Sequence, residues 1–183
     1  MRKLLFTMVL VLMVFSTYGQ GDKFTFSDEQ PELIGQYVVV EADSASIEQM
    51  YNRTIEWINI TYKNPEKVIL SKVEDKYIRI EGFGTVGSTS TLGMTIPIDA
   101  FYGITFEFKE NKAKFELTSL RSAPSAQLPS INMTPNKDDI YKKNGKIRGN
   151  IAGYYRDMLN YFNGLATDYE SYINEPLTSE SDW

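Results

Sequence analysis

FYGITFEFKENKAKFELTSL, residues 101–120, is a β-hairpin written out in alternation. With Glu110-Asn111 as a two-residue loop, Phe106 stands opposite Phe115 and Ile104 opposite Leu117 on one side. Glu107 then stands opposite Lys114 on the other. One side is apolar and one is charged, the pattern of an antiparallel sheet covered on a single face.

Working outward from the hairpin, Lys67 to Val73 and Lys76 to Val86 read as strands separated by the turn-like pair Glu74-Asp75. Thr91 to Ile98 supplies a further strand, which Pro97 confines to an edge or an end. Upstream, the β-branched run Tyr37 to Glu41 reads as a short buried strand. Asp43 or Ser44 then caps a helix from Ser46 to Lys63, with Ile47, Met50, Tyr51, Ile55, Ile58 and Tyr62 at helical spacing and Asn64-Pro65 as its stop. Trp57 lies beside that stripe, on the shoulder of the core.

Downstream, Ser122 to Gly145 carries Pro124, Pro129 and Pro135 and reads as a long loop, mobile or functional. A second helix follows from Ile147 to Asn174, its stripe traced by Ile151, Tyr155, Met158, Phe162, Leu165 and Tyr169. Such a helix is about 42 Å long, whereas an eight-residue strand spans about 27 Å, so it must cross the sheet diagonally, kink or overhang. Gly149, Gly153 and Gly164 within it call for a close approach or mark a bend. Tyr154, Tyr161 and Tyr172 lie along one shoulder, and core edge with hydroxyls at the rim is the plainer reading of them.

Residues 1–19 have the layout of a secretory signal peptide: Arg2 and Lys3, an apolar run from Leu4 to Phe15, and small residues before Gln20. The apolar run is too short for a membrane span. With no cysteine there can be no lipid-modified terminus, so an exported protein, periplasmic or secreted, is expected. The chain has 19 Lys and Arg against 24 Asp and Glu, and losing the leader leaves 17 against 24. This excess of acid, with no basic run, opposes nucleic acid as a partner. The absence of both histidine and cysteine removes the usual general base, the commonest metal ligand and every thiol nucleophile. No cofactor and no metal is expected.

Four kinds of motif invite chemistry. Gly82-Phe83-Gly84-Thr85-Val86-Gly87 has dinucleotide-loop spacing, but strand-like sequence follows where a helix must open, so the glycines make room for a helix or mark a bulge. Glu74 with Asp75, and Asp138 with Asp139, are the acid pairs that a glycosidase-type mechanism would need, placed in turns where acids are solvated. Asn52-Arg53-Thr54, Asn59-Ile60-Thr61 and Asn132-Met133-Thr134 match the N-glycan acceptor by chance. Asp43-Ser44-Ala45 resembles the short Asp-Ser/Thr-apolar acceptor of O-glycosylation in Bacteroides-type bacteria, with helix capping as the competing explanation.

Ile47, Met50-Tyr51, Trp57, Lys67-Val68-Ile69-Leu70, Glu74-Asp75-Lys76 and Ile80-Glu81-Gly82-Phe83-Gly84 resemble a secreted bacterial family, as do Ile104 to Phe108 and Lys109 to Lys112. It is described as domain of unknown function 4468, with a TBP-like fold. The resemblance covers residues 37–122; Asn111 stands where that family carries glycine, and the long loop is outside its pattern. It implies an α+β fold in the order β-α-β-β-β-β-α, one antiparallel sheet of about five strands with two helices on one face. It implies no catalytic residue and, despite the fold's name, no DNA binding.

The expected organisation is a leader (1–19), a lead-in (20–36), one domain (37–174, with the loop 122–145) and a disordered tail (175–183). The leading function is a non-catalytic exported binding or interaction module, with Tyr154, Tyr161 and Tyr172 as its surface and an envelope protein as partner. The alternative is a carrier of a small apolar ligand, with Phe106, Phe115, Tyr155 and Phe162 lining a cavity between sheet and helix. A carboxylate-dependent hydrolase comes third.

Overall fold

The computed structural model describes residues 20–21, 23–26, 32–91, 93–124, 137–146 and 148–175. The leader, the tail beyond Glu175, and Pro129 and Pro135 of the long loop lie outside them. The strands are β1 (Gln20–Gly21), β2 (Tyr37–Glu41), β3 (Ile69–Val73), β4 (Tyr77–Thr91), β5 (Met94–Lys109) and β6 (Lys112–Ser122). The helices are α1 (Ile47–Thr61), α2 (Pro65–Val68), α3 (Lys137–Ile140) and α4 (Gly149–Asn174). In space the strands run β1-β2-β6-β5-β4-β3. Five are antiparallel, and the two-residue β1 adds a parallel pairing to Tyr37 and Val38. The antiparallel pairing and the single-face cover are those expected from the alternation.

The hairpin register is as read: Phe106 pairs with Phe115, Ile104 with Leu117 and Glu107 with Lys114. Asn111 takes the left-handed conformation at φ 61°. Val38, Val40, Ile78, Ile80, Tyr102, Ile104, Phe106, Phe115 and Leu117 turn one face of the sheet inward. On that face lie α1 and α4, which bury Met50, Trp57, Ile58, Met158, Phe162 and Tyr169 against it.

Four features differ from the expectations. The segments Lys76 to Val86 and Thr91 to Ile98 are parts of one long hairpin, β4 with β5, whose register shifts at Val86. Pro97 is tolerated because β6 ends opposite Ala100, so β5 is an edge there. That hairpin also removes the overhang: α4, 26 residues and about 39 Å, lies against a β4 of 15 residues and about 50 Å. Second, the cap of α1 is Ser46, not Asp43 or Ser44; its hydroxyl accepts from the Gln49 amide while Gln49 reaches back to Ser46 N. Third, Trp57 is fully buried rather than a shoulder, because α4 closes over the flank of α1. Its indole N–H donates to Asp168 at 2.8 Å. Fourth, Gly149, Gly153 and Gly164 are approached by nothing within 4 Å of an added Cβ.

The lead-in packs into the domain. Phe24 and Leu33 are buried, and Phe24 exchanges two hydrogen bonds with the Asn163 side chain on α4. Buried Gln36 satisfies the backbone of Thr25 and Glu32. Part of the expected long loop is α3, which buries Ile140.

Candidate functional site on the open sheet face

Phe106, Phe115 and Phe162 are fully buried, and Tyr155 nearly so. Phe106 and Phe115 meet edge to face with centroids 5.2 Å apart, and Trp57 and Tyr169 pack against both rings. Phe162 contacts Tyr102 and Phe24, whereas Tyr155 contacts Tyr154 and Phe26. These four residues thus belong to one buried core cluster.

The tyrosine shoulder is not one surface. Tyr154 is only 7% exposed, because the extended hairpin runs beneath the first half of α4 and Gly87 lets the ring approach. Tyr161 is half-buried and donates to the Tyr102 hydroxyl at 3.0 Å, and Tyr102 meets the Tyr62 hydroxyl at 3.3 Å. Burial pushes the phenols of Tyr62, Tyr102, Tyr154 and Tyr161 well above their ordinary value of 10.0. Tyr172, half-buried, donates to Glu56 at 3.2 Å, and its carbonyl accepts from Arg53, whose guanidinium lies over the ring. All three rings are sewn into the domain.

Among the described residues, the helices lie on one face of the sheet and leave the other uncovered. Inward-facing Gly82 and Gly84 leave Phe83 between them pointing out, 55% exposed. Phe83 pairs across strands with Phe101, and Phe101 with Arg121. The two rings lie 5.0 Å apart, the Arg121 guanidinium sits 4.2 Å above Phe101, and Arg121 is fixed by Glu81 at 3.0 Å. An aromatic–aromatic–guanidinium row therefore crosses three strands on this face. Neither phenylalanine was singled out from the sequence, although the alternation with Gly82 and Gly84 carried the signal for Phe83.

Toward the β5–β6 turn the same face holds a hollow of about 350 Å³ lined by Tyr37, Val39, Glu41, Glu107, Lys112 and Lys114 among others. Lys114 lies 2.5 Å from Glu116 and 3.7 Å from Glu107, over the Tyr37 ring. Desolvation alone lowers its pKa, but the hydrogen bond and charge of Glu116, with Glu107, raise it on balance. Acids and bases here neutralise one another, and the arrangement suits contact more than proton transfer.

Gly82 to Gly87 lies inside β4, where an added Cβ at Gly82 would come 2.4 Å from the Tyr102 ring and one at Gly84 2.4 Å from the Tyr161 hydroxyl. The glycines admit tyrosines, not phosphates. Glu74 and Asp75 are exposed in the β3–β4 turn, and Asp138 is exposed on α3. Among the described residues, no group of three or more acids could hold a metal ion.

A one-sided antiparallel sheet backed by two helices places this chain in the α+β class with a TBP-like fold. Residues 37–122 match the family described as Domain of unknown function (DUF4468) with TBP-like fold, the same residues that carry the resemblance in the sequence. Two crystal structures share the fold. A DUF4468 family protein from Bacteroides ovatus has 16% identity, covers 78% of this chain and 87% of its own, and superposes with a TM-score of 0.61. A TBP-like protein from Parabacteroides distasonis has 13% identity, covers 75% and 90%, and gives a TM-score of 0.54. No curated protein matches the chain.

Proposed function

We propose that the chain is a non-catalytic interaction module, exported by way of residues 1–19, whose contact surface is the open face of the sheet centred on Phe83, Phe101 and Arg121. The observation that carries this is the solvent-facing phenylalanine pair capped by an arginine. Aromatic and arginine side chains are the residue types that dominate protein interfaces. Glu81 already orients the guanidinium, so little side-chain entropy remains to be lost on binding. The partner that fits is an envelope protein presenting an apolar side chain beside polar groups. Interlocked rings in the core support this reading over that of a ligand carrier. Among the described residues no helix is long and apolar enough to cross a membrane.

Affinity capture from envelope extract, comparing the mature protein with Phe83→Ala and Phe101→Ala, tests the surface. Loss of the same captured protein in both variants, with melting temperatures near the parent's, is the expected result. Capture undiminished in both variants would move the surface elsewhere. An intact-mass measurement on exported material tests the leader, and retention of residues 1–19 would refute export.

A further inference from the structure

We infer that Ser44 is an O-glycosylation acceptor. Asp43 is the single aspartate in the sequence that is followed by serine or threonine, and Ala45 completes the acceptor pattern. Helix capping was the competing explanation for these residues, and the structure gives that role to Ser46 and Gln49. What is left is an exposed turn between β2 and α1, in which neither the Asp43 nor the Ser44 side chain makes a hydrogen bond or ion pair among the described residues.

The turn presents its hydroxyl from a fixed frame. Ala42 N donates to Asn111 O at 2.9 Å and Asn111 N donates to Ala45 O at 3.1 Å, so the tip of the β5–β6 hairpin holds both ends. Ser44 itself is left-handed at φ 62°, a conformation that glycine or asparagine adopts more easily. A serine held there, exposed and without an internal partner, is explained by use of its hydroxyl from outside. Beside it lies a hollow of about 390 Å³ lined by Asp43, Gln49, Arg53, Asn174 and Glu175, polar groups suited to the hydroxyls of a first sugar.

In the transfer, Ser44 Oγ attacks the anomeric carbon of a glycosyl diphosphate donor presented by a transferase of the host envelope. The Oγ–carbon bond forms as the carbon–oxygen bond to phosphate breaks. The carrier diphosphate leaves, the hydroxyl proton passes to a base of the transferase, and nothing is oxidised or reduced. This rests on export and is independent of the open sheet face.

The test is the intact mass of the full chain, made with its own leader in a Bacteroides host, for the parent, Ser44→Gly and Asp43→Asn. Glycine suits the left-handed turn, so Ser44→Gly should melt no lower than the unglycosylated parent. The expected result is a parent heavier than its polypeptide by a glycan, with the increment absent from Ser44→Gly and lost or reduced in Asp43→Asn. A parent at polypeptide mass overturns the proposal, as does a full increment in either variant. The same spectrum shows whether residues 1–19 have been removed, so failed export and a failed acceptor read differently.

Discussion

Gly82 and Gly84 both face the helices, yet a methyl group added to each meets a different obstacle. At Gly82 the obstacle is the Tyr102 ring, buried and without room to turn; at Gly84 it is the hydroxyl end of half-buried Tyr161. Overpacking a filled core costs about 1–3 kcal/mol. Gly82→Ala should fall at or above the upper end, and Gly84→Ala near the lower. Adding Tyr161→Phe should recover part of the loss at Gly84 and none at Gly82, since only the first clash is with the Tyr161 hydroxyl. Urea melts of the four variants decide it, and equal losses at both glycines would mean that α4 does not sit over β4 as described. Phe83 was legible from this pattern, because two inward glycines two residues apart force the residue between them outward. Trp57 was not: it stands beside the apolar stripe of α1, and its full burial depends on Phe106 and Phe115 of the sheet and Tyr169 of a distant helix closing around it.

Hairpin β5–β6 was legible from its turn back to Ile104, since its alternation and the two-residue turn admit one register that hides the rings; beyond that a shift between Gly103 and Ile104, which the alternation did not signal, brings Arg121 opposite Phe101. Phe106→Ala and Phe115→Ala should therefore each cost about 3–5 kcal/mol. Glu107→Ala, which removes one exposed partner of Lys114, should cost less than about 1 kcal/mol. Denaturant midpoints for the three check it, and similar losses at all three would show the faces reversed. The β4–β5 hairpin was harder to see. Its glycines and Pro97 imitate loop sequence, and only the end of β6 at Ser122 explains why proline is harmless there. In α4 the glycines were read as needing a close approach or marking a bend, and nothing comes within 4 Å of a Cβ added at any of them. Gly153→Ala and Gly164→Ala should thus each raise stability by about 0.5–1 kcal/mol, through the lower helix propensity of glycine alone. A loss on thermal melting at either position would reveal a contact on α4 beyond those described.

Across the whole molecule, the absence of histidine leaves no side chain with an ordinary pKa between about 5 and 8. The buried phenols act only in alkali. Their folded pKa values lie above the ordinary 10.0, so the unfolded chain releases these protons first. Their contribution is fully present below about pH 10 and is lost as pH climbs beyond it. Melting temperature should be flat from about pH 6 to 9 and then fall steeply; a step near pH 6.5 would contradict this. The one-sided antiparallel sheet was legible because it follows from local alternation. The union of lead-in and core was not, because the bonds from Phe24 to Asn163 and from Gln36 to Thr25 and Glu32 involve polar groups with no periodic signature. The topology also sets an order of events as the chain is made. Strand β2 pairs with residues 112–116, more than 70 positions later, and Phe24 is held by a residue of α4. The amino-terminal part of the domain therefore waits without partners until nearly the last helix has been synthesised. High contact order of this kind slows folding and leaves a growing chain extended. Nascent chains ending before α4 should accordingly remain protease-sensitive, a state in which a polypeptide can still be threaded through a channel.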